Sequence, residues 1–546
     1  MRLVLVGLMA AQGACRGAPG PESPDLAFLL LDFEGEAVGD AQAWLDGGGT
    51  RYACETWDGG LVERAEQWGD GWSIATLLAG RWTNVWIEAG PSGTAWRRRR
   101  GVQQSRATSD APAVGVLLQQ PLMLTAAAWP CGMAEAHTVI RFAAERGLDV
   151  ERGVEVPVAV SLRERRERVL DGETIAAVRY LVQTPGFART LWLDEQDRLL
   201  EAWPAADFLR LRREGLAPLE EPPPPMPDGV DREPLVAAGE FPLGVELTLP
   251  RAADTPVPGV VLVHGSGDAD RDGNSPAMPT WVERELAGQL SAAGYAVARY
   301  DKRGSGESHP LATGPDAPPL DLGLDALAGD TIAVWEALRQ HPRVAGECTF
   351  LVGHSEGTQV AVRAQLRSPA SGLVLLAPPM RPLDEFVGEQ LVVLLEAHGA
   401  TPAEVEEARI IQRALLNAAR AGDREDLARL GVGPAGAAWF TERMEADPAA
   451  ELARVEAPVL AVFMGQDLQI SARDQAVAER LAMGARLEVV RLPGLDHLLR
   501  ATSMPGTGAY LDPDLLPDPS VAVVMEAWLQ RQPCVASRVQ RSAVGL

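Results

Sequence analysis

The feature that most constrains the fold is an alternation, after residue 230, of short apolar segments with longer helical ones. The apolar segments are residues 260–264, 295–300, 349–352, 373–377, 459–463 and 487–491, and the helical runs include 281–293 and 326–339. Continuous apolar strands that alternate with helices are typical of a parallel sheet covered on both faces. Ligands of such sheets bind beyond the carboxyl ends of the strands. We therefore look for functional residues directly after each apolar segment.

The chain of 546 residues is long enough for two or more domains, and a proline-rich segment divides it. Residues 219–231 contain four consecutive prolines, which exclude a helix or a central strand and form a stiff, extended linker. We expect a first domain over residues 25–218, preceded by a tether at 16–24. The second domain is expected over 232–531, followed by a tail at 532–546.

The first domain is expected to be mainly β. Residues 82–88, 154–161, 176–183 and 190–195 alternate or are rich in β-forming residues. Ten of the 14 tryptophans precede the linker, and we expect their large side chains to fill the hydrophobic core of this domain. A tryptophan-rich sheet can also bind sugars or lipids by stacking, but core packing is the commoner use, and the sequence assigns this half no function.

Charge and motifs exclude several classes of function. The formal net charge is −25, and such an acidic surface repels phosphate backbones, so we expect no nucleic-acid partner. The chain has no CxxC, no HExxH and no cluster of histidine and cysteine. No metal and no organic cofactor is expected.

The N-terminus is predicted to be an export signal. An apolar stretch at residues 3–11 follows Met1-Arg2 and leads to Gln-Gly-Ala-Cys at 12–15, which resembles a bacterial lipoprotein signal. That resemblance implies lipidation at Cys15 and anchoring in the cell envelope. Gln12 departs from the pattern, which prefers an aliphatic residue there, and ordinary secretion or an uncleaved cytoplasmic start are the alternatives.

The other cysteines have no fixed partners in the sequence. Cys54 and Cys131 lie in the first half and would pair in an oxidising compartment only if their Cβ atoms met. Cys348 opens an apolar strand and is expected to pack as a small core residue.

The sharpest motif is Gly-His-Ser-Glu-Gly at residues 353–357, between an apolar strand and a helical run. A GxSxG sequence in this setting is typical of a nucleophile elbow, in which the turn is so tight that only glycine fits two residues before and after the serine. Ser355 is therefore the candidate nucleophile.

A serine hydroxyl needs a base to accept its proton, and the base needs a carboxylate to orient it. Downstream, Asp467 follows the strand 459–463 and His497 follows the strand 487–491. His398 lies within a helical insertion, and Asp496 is too close to His497 along the chain to orient it readily. We predict His497 as the base and Asp467 as the acid.

The developing oxyanion needs two hydrogen-bond donors. One is expected to be the backbone N–H of Glu356, which directly follows the nucleophile. The other should come from His-Gly-Ser-Gly at residues 264–267, where the Ser266 N–H is preferred and Gly267 is the alternative.

Taken together, residues 232–531 resemble the α/β-hydrolase superfamily, in particular bacterial esterases related to dienelactone hydrolase and serine aminopeptidase-like proteins. The motifs that carry this resemblance are residues 263–273, 299–308, 353–357, 458–467 and 494–497. It implies hydrolysis of a small-molecule carboxylic ester through an acyl-enzyme, with thioesterase, aminopeptidase and acyltransferase activity as alternatives. A catalytically inactive surface-binding lipoprotein is the alternative from another class.

Three further expectations concern the surroundings of the site. The largely helical residues 380–447 resemble the cap that covers many such sites, and their apolar residues are expected mainly to pack against one another. In the segment 301–308, Asp301 and Arg303 are expected to form a local ion pair. The acidic residues 268–272 are expected in a solvated loop.

Overall fold

The computed structural model describes most of the chain after residue 159 and the strands before it. The described residues are 26–31, 37–46, 49–56, 61–68, 71–78, 81–90, 93–100, 103–109, 116–117, 146–149, 154–157, 159–184, 187–196, 198–203, 210–219, 222–275, 279–310, 320–397, 402–430, 432, 434–483, 486–502, 509–510 and 512–537. The predicted signal with Cys15, the tether, Cys131 and His398 lie outside them. Among the described residues, no helix is both long enough and apolar enough to cross a membrane.

The first half is built on one large antiparallel sheet, which agrees with the mainly-β prediction. Its strands are β1 (Leu26–Leu31), β2 (Ala37–Asp46), β3 (Gly49–Thr56), β4 (Leu61–Trp68), β5 (Gly71–Leu78), β6 (Arg81–Gly90), β7 (Gly93–Arg100), β8 (Gln103–Ser109), β12 (Ala159–Leu170), β13 (Glu173–Thr184), β14 (Phe187–Asp194), β15 (Leu199–Trp203) and β16 (Arg210–Arg213). They lie in the order β12-β13-β14-β15-β16-β1-β2-β3-β4-β5-β6-β7-β8. A small second sheet is formed by β9 (Val116–Leu117), β10 (Arg146–Asp149) and β11 (Val154–Pro157).

Two of the predicted core tryptophans have side chains that the structure describes. Trp192 is buried with Ala177, Leu200 and Leu216, and Trp203 is also buried. The side chains of the tryptophans at 44, 57, 68, 72, 82, 86, 96 and 129 lie outside the description, so their role stays a prediction.

The second half folds around an eight-stranded sheet with helices on both faces. The strands are β17 (Val230–Pro234), β18 (Val245–Pro250), β19 (Val257–Val263), β20 (Ala296–Tyr300), β21 (Val344–His354), β22 (Gly372–Leu376), β23 (Val459–Met464) and β24 (Leu487–Leu492). Their order is β17-β18-β20-β19-β21-β22-β23-β24, with β17 and β18 antiparallel and the others parallel. The parallel strands match the predicted apolar segments, whereas the two antiparallel strands, β17 at the edge and β18 beside it, were not predicted.

The helices follow the strands in the expected alternation. They are α1 (Val282–Ala292), α2 (Leu324–Gln340), α3 (Glu356–Arg367), α4 (Leu383–Ala397), α5 (Pro402–Ala421), α6 (Arg424–Arg429), α7 (Pro434–Glu445), α8 (Pro448–Ala453), α9 (Ala472–Ala482) and α10 (Pro519–Leu529). Alternate residues of β19 face opposite layers of the core: Val261 and Val263 pack with α2 and α3, and Val260 and Leu262 pack with α1 and α10. Burial on both faces explains why the strands are continuously apolar.

The predicted cap is formed by α4 to α7, inserted between β22 and β23. It has an apolar core of its own, which includes Leu383, Ala419, Leu427 and Phe440. Leu391 and Leu395 are buried against α5, so these two pack within the insertion as expected. Helix α7 lies within this predicted helical insertion, and two of its side chains contact Glu356.

The proline-rich linker lies along the second domain. The Arg284 side chain of α1 donates a hydrogen bond of 2.8 Å to the Pro224 carbonyl. A Cβ on Gly288 would lie 2.8 Å from Pro227 Cδ, so the linker rests closely against this helix. The two halves also meet through ion pairs, at 2.9 Å between Arg163 and Asp512 and at 2.8 Å between Arg179 and Asp514.

The interpretation of Cys348 as an unpaired core residue is wrong. Cys348 is fully buried, as expected for its strand, but it forms a disulfide with Cys534 in the predicted tail. The cause is tertiary: α10 packs on β21 and brings two cysteines 186 residues apart in the chain to a Cα–Cα distance of 5.5 Å.

We expect a Cys534→Ala variant to lose about 2–5 kcal/mol of stability, because the disulfide removes loop-closure entropy from the unfolded chain. The measurement is the urea midpoint of wild type and variant with and without dithiothreitol. Reductant should lower the midpoint of wild type and leave that of Cys534→Ala unchanged. Two free thiols at 348 and 534 in the non-reduced protein would contradict the prediction.

Candidate active site

The motif 353–357 forms a tight turn between β21 and α3. Ser355 adopts φ 54° and ψ −123°, an unfavourable backbone conformation for a non-glycine residue. A Cβ on Gly353 would lie 2.3 Å from the Gly357 carbonyl oxygen, and one on Gly357 would lie 2.2 Å from that of Val263. Because both contacts are far too short for a side chain, the elbow depends on its two glycines.

The structure brings three of the predicted side chains together at the carboxyl ends of β21, β23 and β24. His497 Nε2 lies 3.1 Å from Ser355 Oγ, and His497 Nδ1 lies 2.8 Å from Asp467 Oδ2. The carboxylate can only accept, so Nδ1–H donates to Asp467 and Nε2 is left as the acceptor for the serine proton. The side chains of His497 and Asp467 are almost fully buried.

The two candidate acids have different surroundings. Asp467 Oδ1 accepts hydrogen bonds from the Gln469 and Ile470 amides, which fix the carboxylate while Oδ2 faces the histidine. Asp496 instead accepts from the Leu498 and Arg500 amides of its own loop. Burial raises the pKa of Asp496. Asp467 is therefore the acid that contacts His497.

The loop after β19 lies against the nucleophile, as the oxyanion prediction requires. A Cβ on Gly265 would lie 3.3 Å from Ser355 Cβ, so the backbone of this loop approaches the serine closely. Neither the Ser266 nor the Glu356 amide donates a hydrogen bond to another residue that the structure describes. The Ser266 side chain is exposed, consistent with a role for its backbone alone.

The side chain of Glu356 is the centre of a buried charge cluster that the sequence did not reveal. Its Oε2 accepts from Lys302 Nζ at 3.1 Å, and its Oε1 accepts from Arg443 Nε at 2.6 Å and from Trp439 Nε1 at 2.9 Å. Burial opposes ionisation of Glu356, but the charges and hydrogen bonds of Lys302 and Arg443 outweigh it and lower the pKa to about 2. The cluster joins the elbow to the loop after β20 and to cap helix α7.

Two further buried histidines support the site. His354 Nε2 donates to the His497 carbonyl at 2.8 Å, and burial lowers the pKa of His354 to about 4, so this ring is neutral. His264 Nδ1 lies 3.1 Å from Glu283. Burial opposes charge on both groups, but their mutual attraction raises the pKa of His264 and lowers that of Glu283. In the sequence, both histidines are marked only by a neighbouring motif glycine, Gly265 for His264 and Gly353 for His354.

The expected ion pair between Asp301 and Arg303 is not formed. Asp301 binds Arg271 at 2.5 Å, and Arg303 binds Asp330 of α2 at 2.6 Å. Residues 268–272 are not simply solvated, because Asp272 pairs with the fully buried Arg299. Partners from other elements thus replace the local pair at residues 301 and 303. Among the residues that the structure describes, no group of three or more metal-ligating side chains occurs.

Comparisons with known proteins match the second half of the chain. Residues 260–508 match a model described as the alpha/beta hydrolase family. Esterase EstD of Thermotoga maritima is 30% identical over 255 residues, which is 46% of this chain and 57% of the esterase. The second half of the chain is therefore similar in sequence to the alpha/beta hydrolase family and to this esterase. The alignment spans little more than half the length of this esterase.

Solved structures that match about half of the chain include esterases. One is a thermophilic esterase from Thermogutta terrifontis, with 19% identity, 55% of this chain and 98% of that chain covered, and a TM-score of 0.33. Another is an acetyl xylan esterase from Paenibacillus sp. R4, with 17% identity, 56% and 85% coverage, and a TM-score of 0.36.

We expect Glu356→Gln to destabilise the protein at neutral pH, because it leaves Lys302 and Arg443 without their carboxylate. The folded-state pKa of about 2 is below the ordinary value of 4.5, so this stabilisation is present above pH 4.5 and is lost as the pH falls towards 2. The free energy of unfolding should differ by about 3 kcal/mol at pH 7. Urea midpoints of wild type and variant should converge between about pH 5 and pH 2, and a difference independent of pH would contradict the assignment.

Proposed function

We propose that this protein is a serine hydrolase that cleaves carboxylic esters through Ser355, His497 and Asp467. The observation that carries the proposal is the pair of contacts, 3.1 Å and 2.8 Å, that connects the serine hydroxyl to the carboxylate through the imidazole. The strained serine of the elbow and the two available amides near it supply the other parts that acyl transfer needs.

In the proposed reaction, His497 Nε2 accepts the Ser355 proton while Oγ attacks the ester carbonyl carbon. The carbonyl oxygen becomes an anion that the Ser266 and Glu356 amides stabilise. As the tetrahedral intermediate collapses, the imidazolium donates its proton to the leaving alcohol and the acyl group stays on Ser355. Water, deprotonated by His497, then attacks the acyl carbonyl carbon. As this second intermediate collapses, the imidazolium returns the proton to Ser355 Oγ and the carboxylic acid leaves.

Asp467 would act through His497 in both steps. Its hydrogen bond to Nδ1 keeps Nε2 free of a proton in the resting enzyme and stabilises the imidazolium when it forms.

Cap helices α4 to α7 would cover the bound substrate and limit access of water to the reaction. Export and lipidation at Cys15 stay predictions of the sequence.

We expect a fluorophosphonate probe to label wild type and to leave Ser355→Ala unlabelled, because the probe reacts with an activated serine. Hydrolysis of a short-chain p-nitrophenyl ester should be lost together with labelling. Equal labelling of both proteins would remove Ser355 as the nucleophile. Absence of labelling in folded wild type would favour a binding role, and preference for thioester or aminoacyl-anilide substrates would reassign the reaction class.

A matched pair of substitutions tests the acid. We expect Asp467→Asn to lower kcat by about 10⁴-fold, the effect of misorienting the base in a triad of this type. Asp496→Asn should stay within about tenfold of wild type, because the amide oxygen can still accept the Leu498 and Arg500 N–H bonds. The measurement is kcat for the same ester in both variants, and the reverse ranking would exchange the roles of the two residues.

A further inference from the structure

Lys302 occupies an unusual position for its residue type. It is the only lysine among the 50 lysine and arginine residues of the chain. It is also buried, with 7% of its surface exposed. A chain that otherwise uses arginine throughout, even at the fully buried positions 189, 299 and 500, has lysine only beside the candidate active site.

The contacts of Lys302 connect the two proposed oxyanion donors. Its Nζ donates to the Gly265 carbonyl at 2.9 Å and to Glu356 Oε2 at 3.1 Å. The Gly265 carbonyl and the Ser266 N–H belong to one peptide unit, and in a trans peptide these two groups point in opposite directions. A donor that holds the carbonyl on one side therefore aims the N–H to the other side.

We infer that Lys302 is a positioning residue for oxyanion stabilisation, which it achieves by orienting and polarising the Gly265–Ser266 peptide. The inference rests on the proposed function, because it requires that an oxyanion form beside Ser355. A cation on the carbonyl withdraws electron density from the peptide and strengthens the N–H as a donor. Glu356 holds the ammonium group in place, and its own backbone N–H is the second donor.

The chemistry of the two basic side chains explains why lysine is used here. An ammonium group is compact and can turn three N–H bonds towards acceptors that belong to different segments. A guanidinium is a wide planar fork suited to two parallel bonds with one carboxylate, as in the pair Arg303–Asp330. Arginine at 302 would still pair with Glu356 but would displace the Gly265 carbonyl.

The test compares kcat and KM for a p-nitrophenyl ester in three variants. Lys302→Met, which keeps the length and removes the donor, should lower kcat about 10–100-fold and change KM less than threefold, since loss of one oxyanion donor costs about 10²–10³-fold. Lys302→Arg should fold like wild type, because it keeps the buried pair with Glu356, yet it should lower kcat at least fivefold. Arg303→Met is the matched control, because the described hydrogen bonds of Arg303 go to Asp330, Asp321 and Ala326 and not to residues 264–267. It should lower stability without lowering kcat.

A second readout separates positioning from a general loss of structure. A boronic acid forms a tetrahedral adduct with the serine, so its inhibition constant should rise in Lys302→Met and Lys302→Arg by about the same factor by which kcat falls. Full kcat and unchanged boronate affinity in Lys302→Arg would overturn the inference even if Lys302→Met failed to fold. A fall in kcat of the same size in Arg303→Met would also overturn it. Activity that persists in Ser355→Ala would instead refute the proposed function itself.

Discussion

The site depends on the close contact between the elbow of β21 and the end of β19. Ser355 keeps its unfavourable conformation because its amide donates to the Leu376 carbonyl at 2.9 Å. In addition, Gly353 and Gly357 have no side chains to separate the end of β21, the start of α3 and the end of β19. The parallel pairing of β21 with β19 and β22 places all these backbones at one edge of the sheet. The surrounding sheet thus over-determines a turn that would not persist alone. The positions of the histidine and the aspartate follow from the next two strands in the same sheet.

A second constraint is the number of charges buried around this edge. The charges of Glu356, Lys302, Arg443 and Glu283 would each be costly to bury alone, and each of these groups has a buried partner, which for Glu283 is His264. Such clusters contribute little net stability compared with apolar packing, but breaking one partner is expensive. Their effect is to give the loop after β19, the elbow and cap helix α7 a single relative arrangement. That arrangement keeps the backbone at Gly265 close to the serine.

Much of the second half could be predicted because its signals are local. A buried parallel strand must be apolar along its whole length, and the elbow must have glycine at 353 and 357, so both are readable without knowledge of the fold. The convergence of Ser355, His497 and Asp467 follows from strand ends that share one edge. The partners of charged residues are harder to predict. Asp301 and Arg303 each have several oppositely charged residues nearby in the sequence, and only the packing of α2 and of residues 268–272 decides which of them form ion pairs. The disulfide of Cys348 and the contact of α7 with Glu356 depend equally on tertiary packing.

The contacts of β12 and β13 with residues 512–514 bear on how the two halves can be separated. Asp512 is 2% exposed and is held by Arg163, and Asp514 is held by Arg179. The same stretch leads into α10, and the Asp518 amide at its start donates to the Leu499 carbonyl, two residues after His497. A hydrolase unit cut free at the linker would present two carboxylates to water without their guanidinium partners, on a segment hydrogen-bonded to the histidine loop. The β half therefore helps to hold residues 512–514 of the second half in place. The proline-rich segment separates two kinds of sheet that remain in contact with each other.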